Sequence, residues 1–231
     1  MRLLRAPGVY TPQEDTELLV DAMNAAAIPT GARVLDIGTG TGALALAALR
    51  GGASEVTGVD VSRRAVWTAR VNAALQRLPL QVRLGNALEV VADEQFDLVL
   101  ANPPYVPAAN PCAASGPARA WDAGLDGRQL LDPLCARMFD LLNPGGVLLM
   151  VHSVLCGVDT TLRQLRDNGM KASVVQRRLI PFGPVMRGRI DFLERHGLID
   201  PGQRHEELVV IRGDRPERAQ GDGGAERAGS R

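Results

Sequence analysis

The sequence lacks three features that would each point to a class of protein: paired cysteines, an excess of one charge, and a long apolar run. Its three cysteines never fall in a Cys-x-x-Cys pair, which argues against a disulfide framework or a zinc site and fits a reducing cytoplasm. Basic and acidic residues number 26 each, so no overall basic field draws the chain to nucleic acid. The longest apolar run, GGVLLMVHSVLC, is too short to span a bilayer. We therefore predict a cytoplasmic protein without a membrane partner.

Short apolar runs alternate with segments of helical periodicity through most of the 231 residues. Near-continuous apolar strands that alternate with helices are typical of a parallel sheet covered on both faces. We predict a single-domain α/β fold with a doubly wound, mostly parallel sheet, built from seven runs: ARVLDIG, EVTGVD, LQVRLG, FDLVLA, GGVLLMVHS, KASVVQRRLI and EELVVIR.

The predicted domain covers residues 12–212, after a lead-in of residues 1–11 and before a tail of residues 213–231. The tail has little apolar surface to bury and is predicted to be disordered. Two internal segments interrupt the alternation of strands and helices. The segment 107–126 is rich in Pro, Ala and Gly and is predicted to gate the substrate, whereas 181–205 is predicted to join the last two strands through turns.

A glycine-rich loop, DIGTGTG, follows the first predicted strand and places Gly38, Gly40 and Gly42 before a helix. Glycines there let the backbone approach a ligand, and the helix N-terminus offers free N–H groups. Because Asp36 stands beside the loop, a cofactor with a cationic amino group is favoured over one with phosphates. Asp60 ends the second strand, where an acid binds a ribose diol. These features favour S-adenosylmethionine over NAD.

The fourth predicted strand ends in Asn-Pro-Pro-Tyr, residues 102–105. The side-chain oxygen of Asn102 and the carbonyl of Pro103 are two fixed acceptors, because Pro104 has no N–H to continue a helix. Together they could hold both hydrogens of an –NH2 group, with Tyr105 as a flat face beside it. Holding both hydrogens directs the nitrogen lone pair at a methyl donor. The corner therefore predicts methylation of an amide or exocyclic nitrogen, and no metal site is predicted.

Four stretches resemble one family in particular: VYTPQEDTELL, VLDIGTGTGALAL, ANPPYVP and AWDAGLDGRQLLD. They are similar to the HemK-related glutamine methyltransferases of class I, and to the stand-alone archaeal and eukaryotic branch more than to bacterial enzymes with an added N-terminal helical domain. The resemblance covers about residues 9–212. It implies a Rossmann-like sheet with its last strand antiparallel, S-adenosylmethionine as cofactor, and a protein substrate, the Gly-Gly-Gln loop of a peptide-chain release factor. It also implies a small zinc-binding activator subunit.

The resemblance and the two motifs together give a set of candidate site residues. The candidates for cofactor binding are Thr16, Asp36, Gly38, Gly40, Gly42, Asp60, Asn86, Ala87 and Asn102, with Asn86 and Ala87 near the adenine. The candidate catalytic residues are Asn102, Pro103 and Tyr105.

Several other functions fit the same motifs. The corner would also hold the exocyclic amine of a flipped adenine or cytosine in DNA or RNA. A nucleic-acid enzyme usually adds a basic surface, which five arginines could form: Arg177, Arg178, Arg187, Arg189 and Arg195. A small-molecule methyltransferase would need an enclosed pocket. A module that binds S-adenosylmethionine without catalysis would have lost one of the two motifs, and both are intact. An NAD-dependent oxidoreductase is a further alternative.

Overall fold

A computed structural model describes residues 3–27, 29–109 and 121–217. Its strands form one seven-stranded sheet in the order β3-β2-β1-β4-β5-β7-β6. In chain order the elements are α1 (Glu14–Ala25), β1 (Arg33–Ile37), α2 (Ala43–Arg50), β2 (Glu55–Asp60), α3 (Arg63–Leu75), β3 (Leu80–Leu84), α4 (Ala87–Val90), β4 (Phe96–Ala101), α5 (Leu131–Leu141), β5 (Leu142–Ser153), α6 (Val158–Asp167), β6 (Lys171–Pro181), α7 (Pro184–Arg187), α8 (Ile190–Arg195) and β7 (His205–Asp214).

The sheet reverses its winding direction at β1, which lies between β2 and β4. Strands β1 to β5 are parallel, and only β7 runs antiparallel to its neighbours β5 and β6. The last residue of β1, Ile37, pairs with Val59 of β2 and with Ala101 of β4. The loops after these three strands therefore meet at one edge, where α/β sheets bind their ligands. The predicted fold, including the antiparallel strand, is confirmed.

The core consists of two main layers, one on each face of the sheet. Consecutive strand residues point to opposite faces, so that Val34 packs with α1 and α2 while Leu35 packs with α5. Because both faces are covered, the strands are apolar at nearly every position, which is the pattern that the sequence shows. Ser62 caps α3, since its hydroxyl accepts a hydrogen bond from the N–H of Ala65.

The structure differs from the sequence-based expectation in the segment 181–205. Instead of turns alone it holds the short helices α7 and α8, which close over a third apolar cluster. Helices of four and six residues are too short to show a helical period in the sequence. The buried members of this cluster are Val106, Phe182, Met186, Leu193 and Ile199.

The last strand continues beyond the predicted end of the domain. β7 runs to Asp214, which pairs with Val147 of β5 and Lys171 of β6, so the predicted tail begins within the sheet. Residues 218–231 of that tail lie outside the described part of the chain. Among the described residues, no helix is long and apolar enough to cross a bilayer.

The segment predicted as a gating loop is described only at its two ends, because residues 110–120, with Cys112, lie outside the described ranges. The two ends are hydrogen-bonded to each other. The N–H of Val106 donates to the carbonyl of Trp121 at 2.8 Å, and the N–H of Ala108 donates to the carbonyl of Gly124 at 2.8 Å. The loop is therefore anchored directly beyond the Asn-Pro-Pro-Tyr corner, and its gating role stays a prediction.

Candidate active site

A cavity of about 990 Å³ opens at the edge where β1, β2 and β4 end. This volume is at the upper end of the range for ligand pockets, so it can take a nucleoside cofactor together with part of a second molecule. Most of the candidate residues lie on its wall: Thr16, Gly38, Gly40, Asp60, Asn86, Ala87, Asn102, Pro103 and Tyr105. Asp36 and Gly42 are not on the wall.

The glycine loop is attached to the end of β2. The N–H groups of Gly38 and Thr39 both donate to the carbonyl of Val59, at 2.9 and 3.0 Å. Gly38 and Gly40 have φ values of +72° and +54°, in the left-handed region that favours glycine. A Cβ on Gly38 would lie 3.9 Å from the carbonyl oxygen of Asn102. The loop and the corner are thus neighbours across the end of β1 and β4.

Gly42 has a packing role. Its φ is +83°, and a Cβ at this position would lie 3.3 Å from the Cβ of Ala69 in α3. The glycine thus lets α2 begin against α3, and the structure does not support the direct contact with the cofactor that the sequence predicts.

Asp60 presents its carboxylate at the cavity wall and is held in place by the backbone. One oxygen accepts from the N–H of Gly40 at 2.9 Å, and the other accepts from the N–H of Ser62 at 2.8 Å. Burial raises the pKa of this carboxyl above its ordinary value, against the effect of those two bonds. Each carboxylate oxygen still has a free lone pair, so Asp60 can accept two further hydrogen bonds from a diol.

We predict that Asp60→Ala weakens the binding of S-adenosylmethionine by about 10- to 100-fold, because charge-assisted hydrogen bonds to the ribose are lost. Titration calorimetry measures the effect. Glu55→Ala is a matched control, since Glu55 lies at the opposite end of the same strand and pairs with Arg33. Equal affinities for the parent and Asp60→Ala would contradict the ribose assignment.

Asp36 is fully buried behind the glycine loop. Its Oδ2 accepts from the Thr39 hydroxyl at 2.6 Å and from the N–H of Ala45 at 3.2 Å. Its Oδ1 has no partner among the described residues. Burial raises the pKa of Asp36 to about 6, although these two hydrogen bonds oppose the shift. The carboxylate can therefore act on the cavity as a negative charge behind the loop, without lying on the wall.

The raised pKa predicts a pH-dependent stability. Because the folded protein favours protonated Asp36, stability is lost as the pH rises from about 4 to about 6. Asp36→Asn removes this loss, so we expect the variant to be about 1–3 kcal/mol more stable than the parent at pH 8 and no more stable at pH 4. Urea unfolding at both pH values measures the difference, and Asp93→Asn, at an exposed site, is the control. An advantage of the same size at both pH values would contradict the prediction.

The side chain of Asn102 is oriented by a chain of hydrogen bonds from α1. Its Nδ2 donates to the Thr16 hydroxyl at 3.5 Å, and that hydroxyl donates to Asp15 Oδ1 at 3.1 Å. No donor among the described residues bonds to the Oδ1 of Asn102, which is half-buried at the cavity wall. The amide is therefore turned so that its oxygen is free to accept.

Asp15 joins the corner to a second tyrosine. Its Oδ2 accepts from the hydroxyl of Tyr10 at 2.8 Å and from the hydroxyl of Tyr105 at 3.3 Å. Burial raises the pKa of both tyrosines, so both stay protonated donors. The sequence-based assignment included Thr16 but missed Tyr10 and Asp15, although both stand in the stretch VYTPQEDTELL.

The stretch GLDGRQLLD supports the corner from behind. The thiol of Cys156 donates to the carbonyl of Tyr105 at 3.1 Å, and Gly127 packs against both groups. Arg128 is buried and donates to Asp132, to the carbonyl of Gly157 and to other groups of the same turn. The bond from Cys156 and the packing of Gly127 thus fix the backbone of the corner at Tyr105, and Arg128 holds the turn after Cys156 in place.

Asn86 lies on the wall, but its side chain is already engaged. It caps α4 by accepting from the N–H of Leu88 at 3.2 Å, and its Nδ2 donates to Glu89 at 2.9 Å. The contact with the adenine that the sequence predicts at Asn86 and Ala87 stays a prediction.

Comparison with known proteins also indicates a methyltransferase. Residues 1–113 match the model of the methyltransferase small domain. A Methanocaldococcus jannaschii protein named as a protein N5-glutamine methyltransferase is 34% identical over 191 residues, which are 80% of this chain and 93% of that protein. The chain belongs to the HemK-related glutamine methyltransferases.

One further relative and two solved structures are also similar to this methyltransferase. The release factor glutamine methyltransferase of Gloeobacter violaceus is 38% identical over 170 residues, but the match covers only 58% of that protein and 69% of this chain. The E. cuniculi Mtq2 structure, solved as a complex with Trm112, has a TM-score of 0.63 at 24% identity and covers 90% of this chain and 99% of that one. A Thermus thermophilus 16S rRNA N2 G1207 methyltransferase, solved with its methyl donor and guanosine, has a TM-score of 0.61 at 19% identity, over 91% of this chain and 46% of that one. These two structures show the fold.

The cofactor of this family, S-adenosylmethionine, fits the residues that are present. The glycine loop offers open backbone, Asp60 offers acceptors for a diol, and the buried Oδ1 of Asp36 is an unpaired negative group behind the loop. When it binds there, the cofactor supplies a methyl group on a positively charged sulfur. The neutral thioether that remains after methyl transfer is a good leaving group.

Proposed function

We propose that this methyltransferase modifies the side-chain amide nitrogen of a glutamine, in the Gly-Gly-Gln loop of a peptide-chain release factor. The observation that supports it most is the orientation of Asn102. The Nδ2 of Asn102 donates to the Thr16 hydroxyl, so the Oδ1 of Asn102 is left to accept from a substrate –NH2 at the cavity wall, and the backbone of Asn102 lies beside the glycine loop.

The chain's contribution is to hold the amide and expose its lone pair. The nitrogen of a carboxamide is a poor nucleophile because its lone pair is delocalised into the carbonyl. The Oδ1 of Asn102 and the carbonyl of Pro103 would each accept one of its hydrogens, which draws the nitrogen towards tetrahedral geometry. Fixing two reactants in this way can supply up to about 7–11 kcal/mol of a barrier. Tyr105, whose hydroxyl is fixed by Asp15, would provide the flat wall for the planar group.

The names of the relatives support a glutamine acceptor. The archaeal relative is named for protein N5-glutamine methylation, and the bacterial relatives are named for release factors. The E. cuniculi Mtq2–Trm112 complex is described as responsible for the methylation of the translation termination factor eRF1.

A nucleic-acid acceptor is the alternative, and the arginines do not favour it. Arg177 pairs with Glu207, Arg178 with Asp21, and Arg189 with Asp122. The guanidinium of Arg195 donates to a carbonyl of its own helix. Only Arg187 of the five lies on the cavity wall. Most of these charges are therefore balanced locally and do not form one basic face.

The test is transfer of labelled methyl to defined acceptors. We expect label in a release factor with an intact Gly-Gly-Gln loop, and none in the same protein with that glutamine changed to alanine. An adenine-containing oligonucleotide is the parallel acceptor. Label in the oligonucleotide alone would replace the proposed function by the nucleic-acid one, and label only in the small molecules of a cell extract would favour a small-molecule substrate.

The need for a small activator subunit stays a prediction. The E. cuniculi neighbour was solved together with Trm112, but its likeness to this chain is at the level of the fold. Measuring the same methyl transfer with the chain alone decides the point, since full turnover without a second protein would show that no activator is required.

A further inference from the structure

Glu206, at the start of β7, is a buried carboxylate on the wall of the same cavity. It is only 5% exposed, and its Oε2 has no hydrogen-bond partner among the described residues. Burial raises the pKa of this carboxyl, while a bond from Ser153 acts in the opposite direction. An unpaired buried carboxylate oxygen is costly, and a donor supplied by a ligand would offset that cost.

The neighbouring groups do not supply that donor. The hydroxyls of Tyr10 and Tyr105 both donate to Asp15, and the Thr16 hydroxyl also donates to Asp15. The acceptor capacity of Asp15 is thus filled from within the protein, whereas that of Glu206 is not.

The sheet order shows on which side of the corner Glu206 lies. β7 lies two strands from β4, which carries the corner, and three strands from β1, which carries the glycine loop. With about 4.8 Å between strands, these separations are about 10 and about 14 Å. Glu206 therefore lies on the side of the corner away from the cofactor loop.

The chemistry of this part of the wall selects the kind of group that binds. Glu206 lies opposite Ile180 of β6, and the wall continues through Phe182 and Leu208. An apolar surface with one unpaired acceptor suits a peptide segment that presents a backbone N–H between apolar contacts.

We propose that Glu206 is a specificity-determining residue, whose Oε2 accepts a hydrogen bond from a backbone N–H of the acceptor polypeptide next to the target glutamine. This inference rests on the proposed function, because it takes the acceptor to be a peptide loop. It adds a contact that neither the glycine loop nor the Asn-Pro-Pro-Tyr corner provides.

The test compares Glu206→Leu and Glu206→Gln with the parent. Leucine removes the acceptor and is expected to raise KM for the release factor by about 10- to 100-fold, with little change in kcat. Glutamine keeps one acceptor oxygen, so a smaller rise is expected. The dissociation constant of S-adenosylmethionine, measured by calorimetry, should stay at the parent value. The melting temperature of Glu206→Gln should stay at the parent value, because glutamine keeps an oxygen for the bond from Ser153 and no internal hydrogen bond to Oε2 is lost.

The control is Glu207→Gln, since Glu207 is the next residue, faces the other side of β7 and pairs with Arg177. It should keep the parent KM. A parent KM in Glu206→Leu overturns the inference, as does a lower melting temperature with equally weakened cofactor binding, which would mark a structural role. If the parent labels the oligonucleotide instead, the proposed function fails by itself. The same variants are then compared on that acceptor, where an unchanged KM overturns the role of Glu206 as well.

Discussion

Asn102→Ala is expected to lower single-turnover methyl transfer by about 100- to 1,000-fold, the range found when one fixed hydrogen-bonding group is removed from a reacting centre. The loss should appear in kcat more than in KM, because the bond strengthens as the amide nitrogen becomes tetrahedral and its hydrogens become more acidic. The fold and most of the cofactor affinity should persist, since Asn102 is half-buried and its one bond within the protein, to Thr16, is long at 3.5 Å.

Asn102→Asp separates the effect of an acceptor oxygen at this position from the effect of a negative charge. Aspartate keeps an acceptor oxygen, so some activity should return relative to alanine. Its negative charge near the sulfonium favours the cationic ground state over the transition state, in which that charge is being neutralised, so transfer should stay well below the parent. Asn143→Ala is the matched control, because Asn143 bonds Asp97 at the opposite edge of the sheet. If Asn102→Ala transferred methyl at the parent rate, the corner would only end the strand and would have no part in holding the target –NH2.

The sequence predicts the part of the site that local pattern determines. A glycine loop after one strand and a proline corner after another lie at the carboxyl ends of parallel strands, and parallel strands bring those ends to a common edge. The alternation of apolar strands with helices was sufficient to predict a doubly wound, mostly parallel sheet, whereas the antiparallel last strand was implied by the resemblance to the family. The Cβ position at Gly38, 3.9 Å from the carbonyl of Asn102, shows how close the two motifs are.

The groups that the sequence did not reveal are those whose role depends on long-range contacts. Tyr10 and Tyr105 are 95 residues apart, yet both donate to Asp15, and no spacing rule relates them. In the sequence, Glu206 is an ordinary charged residue at the start of a strand. It lines the cavity only because β7 is inserted antiparallel to its neighbours. Conversely, Gly42 shares the pattern of the loop glycines but packs against Ala69, which the pattern alone does not distinguish.

Gly127→Ala is expected to damage the site from a distance, because Gly127 packs directly against the backbone of the corner. A Cβ at this position would lie 2.5 Å from the carbonyl oxygen of Tyr105 and 2.7 Å from the Sγ of Cys156. Neither group is the end of a flexible side chain, since one is backbone and the other belongs to a buried residue that donates to that same carbonyl. The corner must therefore move to admit the methyl group.

The backbone strain of the substitution can be separated from this clash. Gly127 has a φ of +77°, and Gly202 has a φ of +82° with no atom within 4 Å of its Cβ position. Alanine costs about 1–2 kcal/mol in the left-handed region at either site, so Gly202→Ala should lose that much stability and keep the parent rate of transfer. Gly127→Ala should lose more stability in urea unfolding, and its kcat should fall at least tenfold, as expected when reacting groups are displaced by even a fraction of an ångström. If the two variants lost equal stability and Gly127→Ala kept its kcat, the turn behind the corner would have no part in positioning Asn102 and Pro103.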